Sequence, residues 1–238
     1  MQSIGLDEMD RVALMDRVDT KYVFSDRELP DLLTKLRDDY RVLTVGGTRL
    51  ARYTNLYFDS PALDCYLEHH NGKMNRRKFR MRKYLSTGVC FLEVKHKNNK
   101  RRTIKTSIPI PEITEELTKE SLAFLQSNSK PGLDLLPKLW NSFSRITLVD
   151  KSSRERVTMD FDLEFYFDQQ KHTLPGIVIA EVKQQKVSRH SRIRQLLRTQ
   201  KVRPLRVSKY CLGTLLLNPQ FKANRFKRKL RAIRKITI

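Results

Sequence analysis

The stretch "RRKFRMRKYLSTGVCFLEVKHKNNKRRTIK", residues 76–105, decides the fold. Every second residue gives Lys78, Arg80 and Arg82, then Glu93, Lys95 and Lys97, and Lys105 follows on the next strand-like run. Between them lie Phe79, Met81, Leu92 and Val94. Alternate side chains of a β-strand point to opposite faces, so these strands have one apolar and one densely ionic face. Like charges side by side in a sheet repel, and a wall of them calls for a compensating anion. Arginine's planar fork matches phosphate oxygens two at a time. A solvated strand face is the alternative reading.

The rest of the chain repeats the pattern. "RVDTKYVF" (17–24) reads as the first strand, and further strands are expected near 40–45, 52–58, 143–150, 154–167 and 176–185. In 154–167, Val157, Met159, Phe161, Leu163, Phe165 and Phe167 are expected on one face and Arg156, Thr158, Asp160, Asp162 and Glu164 on the other. In "GIVIAEVKQQ", Ile177, Ile179, Glu181 and Lys183 alternate with Val178, Ala180 and Val182. Helices are expected at 25–40, where leucines recur at helical spacing, at 113–126 with Thr114 as cap, at 189–199 and at 208–217. Short connections favour antiparallel pairing. The expected architecture is α+β: a closed antiparallel barrel with helices packed outside and the ionic face lining a tunnel open at both ends. One domain with appended helices is favoured, because no repeat or low-complexity linker divides the chain.

The net charge of +22, from 48 Lys and Arg against 26 Asp and Glu, points to a polyanionic partner. Cys65, Cys90 and Cys211 form no C-x-x-C pair and read as reduced structural thiols of a cytoplasmic protein. No apolar run is long enough to span a bilayer, and the N-terminus has no signal-peptide core.

Two E-V-K triplets, Glu93–Lys95 and Glu181–Lys183, each place a carboxylate beside an ammonium. They read either as cross-strand ion pairs or as a site for Mn²⁺ or Mg²⁺ shared with substrate phosphates, next to a phosphate-binding lysine. Neither a P-loop nor a dinucleotide fingerprint nor H-E-x-x-H is present. His69–His70 reads as surface or capping. The terminal stretch Lys222–Lys235, with eight basic residues in fourteen, reads as a solvated tail or as a contact for lipid, nucleic acid or product. Nucleic acid is disfavoured as the main partner, because the charges lie in register beside the E-x-K pairs.

Taken in order, "DTKYVF", "YFDSPALDCYLEHHNGKMNRRKFRMRKY", "FLEVKHKNNKRRTIK", "FSRITL", "ERVTMDFDLEF", "IAEVK" and "VSKYCLG" resemble the VTC domain. This is the polyphosphate-polymerase domain of the vacuolar transporter chaperone complex and its bacterial relatives, in the triphosphate tunnel (CYTH-like) superfamily. The resemblance covers residues 8–217 and leaves 218–238 as a basic tail or helix. It implies a tunnel barrel of about eight strands and transfer of the γ-phosphate of ATP to inorganic polyphosphate with Mn²⁺ or a similar ion. It further allows a membrane-protein partner for product export. By motif, Arg80, Arg82, Lys95, Arg145 and Arg156 are the implied catalytic cations. Lys21, Lys105, Arg206 and Lys209, with Lys78 and Lys183 from the strand pattern, are the implied phosphate ligands. Glu181, with Glu93 from the other triplet, is the implied metal ligand. The chain departs from the superfamily's E-x-E-x-K opening with Arg17-x-Asp19-x-Lys21, which weighs against first-strand metal ligation. Phe143 stands where characterised polymerases have Tyr. A triphosphatase on the same barrel, or a non-catalytic polyphosphate binder, are the alternatives.

Overall fold

The computed structural model describes residues 1–10, 17–100 and 102–236. The chain begins with β1 (Gln2–Ile4), α1 (Leu6–Asp10), β2 (Val18–Ser25), α2 (Leu29–Leu36) and β3 (Tyr40–Leu43). It continues through β4 (Ala51–Asp59), α3 (Asp64–His70), β5 (Arg76–Tyr84), β6 (Cys90–Lys97), β7 (Thr103–Ile110) and α4 (Lys119–Asn128). The second half is β8 (Leu136–Asp150), β9 (Arg156–Phe167), β10 (Gln170–Leu174), β11 (Ile177–Gln184), α5 (Arg192–Thr199), α6 (Lys209–Leu217) and α7 (Lys227–Arg234). Residues 11–16, Arg101 and the last two residues of the expected tail lie outside the description.

Eight strands pair in the order β2-β11-β9-β8-β4-β5-β6-β7, all antiparallel. This is the triphosphate tunnel fold, with one correction: the sheet is curled but not closed by hydrogen bonds. The outer edge of β2 is already taken, since Leu205 N–H donates to Lys21 O at 2.8 Å and Tyr22 bridges Pro204. At the other end β7 carries Pro109, which suits an edge strand. The curl is visible in charge proximity. Lys95 on β6 feels Glu181 on β11, although four strands separate them along the sheet.

The convex face carries α2, α4 and α5. Leu29, Leu32 and Leu36 of α2 and Ile193 and Leu197 of α5 pack on Tyr22, Val157, Met159, Val178 and Val182. Each buried leucine contributes about 2 kcal/mol. Leu125 of α4 packs on Leu56, Phe79, Met81, Leu92 and Val94. The helix expected from 113 starts at Lys119, because the Thr118 side chain caps it by accepting from Ser121 N–H at 3.2 Å. Glu115 is instead held outside the helix by the Trp140 indole, which donates to it at 2.8 Å.

The expected alternation along β9 breaks. Asp162 adopts φ 52°, and two β9 residues there oppose the single Phe143 of β8. This bulge reverses the facing. Val157 and Met159 point outward, while Leu163 and Phe165 point inward with Leu139, Ile177 and Ile179. Against that inward apolar half lies α6, so the tunnel is filled at this end rather than open at both. Gly213 makes the close approach possible: a Cβ there would stand 2.3 Å from Phe165 Cδ1 and 2.8 Å from Leu139 Cδ2. Gly213→Val is expected to lower stability by about 1–3 kcal/mol through overpacking, despite valine's better helix propensity. Thermal denaturation checks this, and a melting point at or above that of the parent would refute the seating of α6.

His69–His70 is not a surface pair. His70 is 3% exposed and its Nε2 accepts from Arg225 N–H at 3.2 Å. The terminal stretch is likewise docked, with α7 folded back onto α6 through Phe226 and Ile233. All three cysteines are buried and unpaired.

Candidate polyanion site in the tunnel

On the concave face, the pleat of β5, β6 and β7 aligns Lys78, Lys95 and Lys105 directly opposite one another. One pair further along, Arg80 lies opposite Glu93. Its guanidinium donates to Glu93 Oε2 at 2.6 Å and Lys105 reaches Oε1 at 3.0 Å. Across the lumen, Arg145 of β8 grips Asp160 of β9 in bidentate fashion, at 2.5 and 2.8 Å. Lys209, the first residue of α6, donates to the same carboxylate. On β11, Glu181 lies 3.6 Å from Lys21 of β2 and 2.7 Å from Lys183. Each of three carboxylates is thus shared by two cations.

Four cations on this face have no carboxylate partner among the described residues: Lys78, Arg82, Lys95 and Arg156. Lys78 donates instead to Ser208 Oγ at 2.7 Å. Arg82 donates to Asn55 Oδ1 at 2.7 Å, and Asn55 is itself fixed by donating to Asn141 O at 3.0 Å. Arg82 also lies over Tyr53 at 5.0 Å and over Phe143 at 5.7 Å. Tyr53 and Phe143 are stacked 5.2 Å apart, and Arg145 and Lys209 share the same aromatic floor. Cation–π contact of this kind is attractive and strengthens on desolvation, so rigid rings hold three positive groups together. These ten basic side chains outnumber the three carboxylates that pair with them by seven.

Electrostatics record the excess. Burial raises Glu93, but Arg80, Arg82 and Lys95 more than reverse this and hold it well below the carboxylate range. Glu181 and Asp160 are held down by their own cations in the same way. Lys95 is pushed well below the lysine range by Arg80, burial and Arg82. Burial is the main cause that lowers Lys78 and Lys209 to about 8.

Unfolded lysine titrates near 10.4. Between about pH 8 and 10, therefore, Lys78 and Lys209 bind more protons in the unfolded chain than in the anion-free fold and add stability as pH rises, whereas Cys65, Cys90 and Cys211, raised by burial, work in the opposite direction. A bound polyanion restores the ammonium forms, so its affinity weakens over the same interval. From pH 7.5 to 10 the increment that tripolyphosphate adds to the melting point should shrink. A constant increment would overturn the assignment.

Of the residues singled out from the sequence, the fold brings Lys21, Lys78, Arg80, Arg82, Glu93, Lys95, Lys105, Arg145, Arg156, Glu181, Lys183 and Lys209 to the concave face. Arg206 lies at their margin, between Leu205 and Val207, which both hydrogen-bond Lys21. It is exposed and sits near Lys229. Glu93 is 2% exposed, with both oxygens committed. Glu181 is 21% exposed, and its Oε1 is held only at 3.6 Å. Among the described residues no three His, Cys, Asp or Glu side chains converge as a metal cage. Asp160 was one of three equivalent acids in the sequence; the bulge sends Asp162 to solvent and leaves Asp160 3% exposed. Asn55, Tyr53 and the buried Asp59–Tyr210 pair that ties α6 to β4 carried no signal, since their roles come from non-local neighbours.

A family model for the VTC domain matches residues 16–218. No curated protein matches the chain. Among solved structures, a Bacillus halodurans protein provisionally named an adenylate cyclase aligns with TM-score 0.51 and 13% identity, over 89% of this chain and 97% of its own. A Vibrio parahaemolyticus protein of the same provisional name gives 0.49 and 12%, over 83% and 98%. A Hippeastrum protein so named, with a dominant triphosphatase activity, gives 0.47 and 16%, over 84% and 95%. Among the described residues no helix is long and apolar enough to cross a membrane.

Proposed function

The chain belongs to the VTC domain family, and on that premise we propose that it is a polyphosphate polymerase. It transfers the γ-phosphate of ATP to the end of an inorganic polyphosphate chain. The observation that carries this reading is that basic groups on one concave face outnumber their paired carboxylates by seven, with four of them unmatched by any carboxylate among the described residues. A nucleoside triphosphate and the end of a polyphosphate bring a comparable number of negative charges.

The nucleophile is a terminal phosphate oxygen, already ionised at neutral pH, so no side chain has to remove a proton. What remains for the protein is alignment and charge stabilisation. The Lys78–Lys95–Lys105 row spans three adjacent strands and holds successive phosphates. Arg82, pre-set on Asn55 and its aromatic floor, faces the transferred group. Arg80 and Arg145 are oriented by Glu93 and Asp160. Glu181 fits a divalent metal best, as the carboxylate most able to turn from its lysine. Mn²⁺ or Mg²⁺ bound there would neutralise phosphate oxygens, with the phosphates supplying its other ligands.

Incubation with γ-labelled ATP and Mn²⁺, with the products resolved on a gel, tests the reading. A ladder of long polyphosphate that disappears in Glu181→Ala is the expected result. Free phosphate alone would make the protein a triphosphatase. Tight polyphosphate binding without either product would make it a receptor.

A further inference from the structure

Beyond Glu181 the chain contains no Asp or Glu, and 18 of its 48 Lys and Arg lie in that final stretch. Its last helix, α7, lies past the family-matched segment. The helix is docked and not frayed. The Tyr66 hydroxyl donates to Lys222 O at 2.7 Å, and Arg225 N–H donates to His70. Phe226, Leu230 and Ile233 turn inward and, with Cys211 and Leu215 of α6, line a cavity of about 20 Å³. The opposite face presents Lys227, Arg228 and Arg231 to solvent.

The inner flank of α7 abuts the tunnel mouth. Lys229 and Ser208 line the same small cavity, and Ser208 accepts the hydrogen bond from Lys78 inside the tunnel. At the junction sits His69, whose Nδ1 is buried without a partner among the described residues. Burial first, then Lys78, Arg76, Lys229 and Lys21 around it, keep its ring uncharged. Arg206, exposed at the tunnel margin, lies within the field of Lys229. Cations thus run from Lys78 past Ser208 to Lys229 on the inner flank of α7, whose outer face carries Lys227, Arg228 and Arg231 and whose sequence contains no acidic residue.

We propose that the exposed face of α7, together with Arg206, is an external subsite for a chain of phosphates, holding the part of a polyphosphate that extends beyond the tunnel mouth. The inference rests on the polyphosphate reading above. An eight-residue helix offers about 12 Å of track. A lipid surface presents the same phosphate chemistry, but a helix that binds a bilayer inserts its apolar face. Here that face is occupied by α6.

The test compares the parent with Lys227→Gln/Arg228→Gln/Arg231→Gln/Lys235→Gln, using tripolyphosphate, long-chain polyphosphate and phosphatidylserine vesicles as probes. Tripolyphosphate, which fits within the tunnel, should bind both proteins equally and so reports that the variant is folded. Long-chain affinity should fall about tenfold, with its salt dependence shallower by about three log units per log unit. Unchanged long-chain affinity overturns the subsite. So does an equal loss for both phosphate probes, and so does a loss confined to vesicles, which would make the membrane the ligand of α7. If the parent binds neither phosphate probe, the polyphosphate reading itself falls, a result distinct from any failure confined to the variant.

Discussion

Arg82→Gln is expected to slow phosphoryl transfer by about 10²–10³-fold, the cost of removing one pre-aimed donor from a developing charge, without lowering the melting point. The two halves of this expectation have separate origins. Arg82 has no carboxylate to satisfy, and burial, Arg80 and Arg145 push its guanidinium down to about 10. Its charge is therefore held against the local field, and losing it relieves repulsion. A glutamine keeps an amide that can donate to Asn55, so the buried Asn55 oxygen is not orphaned. The loss should fall mainly on kcat, because Lys78, Lys95 and Lys105 still bind phosphate. Steady-state kinetics beside calorimetry decide the matter. A rate within fivefold of the parent removes Arg82 from the transition state, and a sharp fall in melting point makes it structural.

Asp160→Asn should do the reverse and strike the fold. The carboxylate is 3% exposed and is the common partner of Arg145 and Lys209. An isosteric amide leaves two buried cations facing each other, and breaking a buried pair in this way costs about 3–5 kcal/mol. For a chain of this length that corresponds to roughly 10 °C in melting point. Because Lys209 opens α6, the same change loosens the helix that fills the tunnel end. Added tripolyphosphate, which supplies the missing negative charge, should recover most of the loss. Asp162→Asn is the control. Its side chain is exposed at the bulge, and asparagine tolerates the left-handed backbone there, so stability should be unchanged. A small effect at Asp160, or no rescue by the anion, would refute the shared-carboxylate arrangement.

The strands were legible because alternation is a local property. Lys78, Arg80 and Arg82 must share a face whatever surrounds them, and β5 spans the residues that the pattern indicated. The same rule identified the inward sides of β6 and β11. It failed on β9, where Asp162 in a left-handed conformation inserts one residue and reverses the facing beyond it. No residue in "DFDLEF" announces this, since glycine, the usual marker of such a bulge, is absent. The helix expected at 113 with Thr114 as cap starts later, at Lys119, because Thr118 caps it and Trp140 reaches Glu115 from β8.

The sequence by itself determined that this chain makes two-faced strands and that one face carries far more cations than carboxylates, because side-chain period and charge are properties of the residues. Only the tertiary structure decided which cations share a carboxylate, which are left unmatched, and that α6 fills one end of the tunnel. Those outcomes depend on curling strands far apart in sequence until Lys95 meets the field of Glu181 and Lys209 meets Asp160. Coulomb energy and packing depend on distance in space, and only the fold sets that distance.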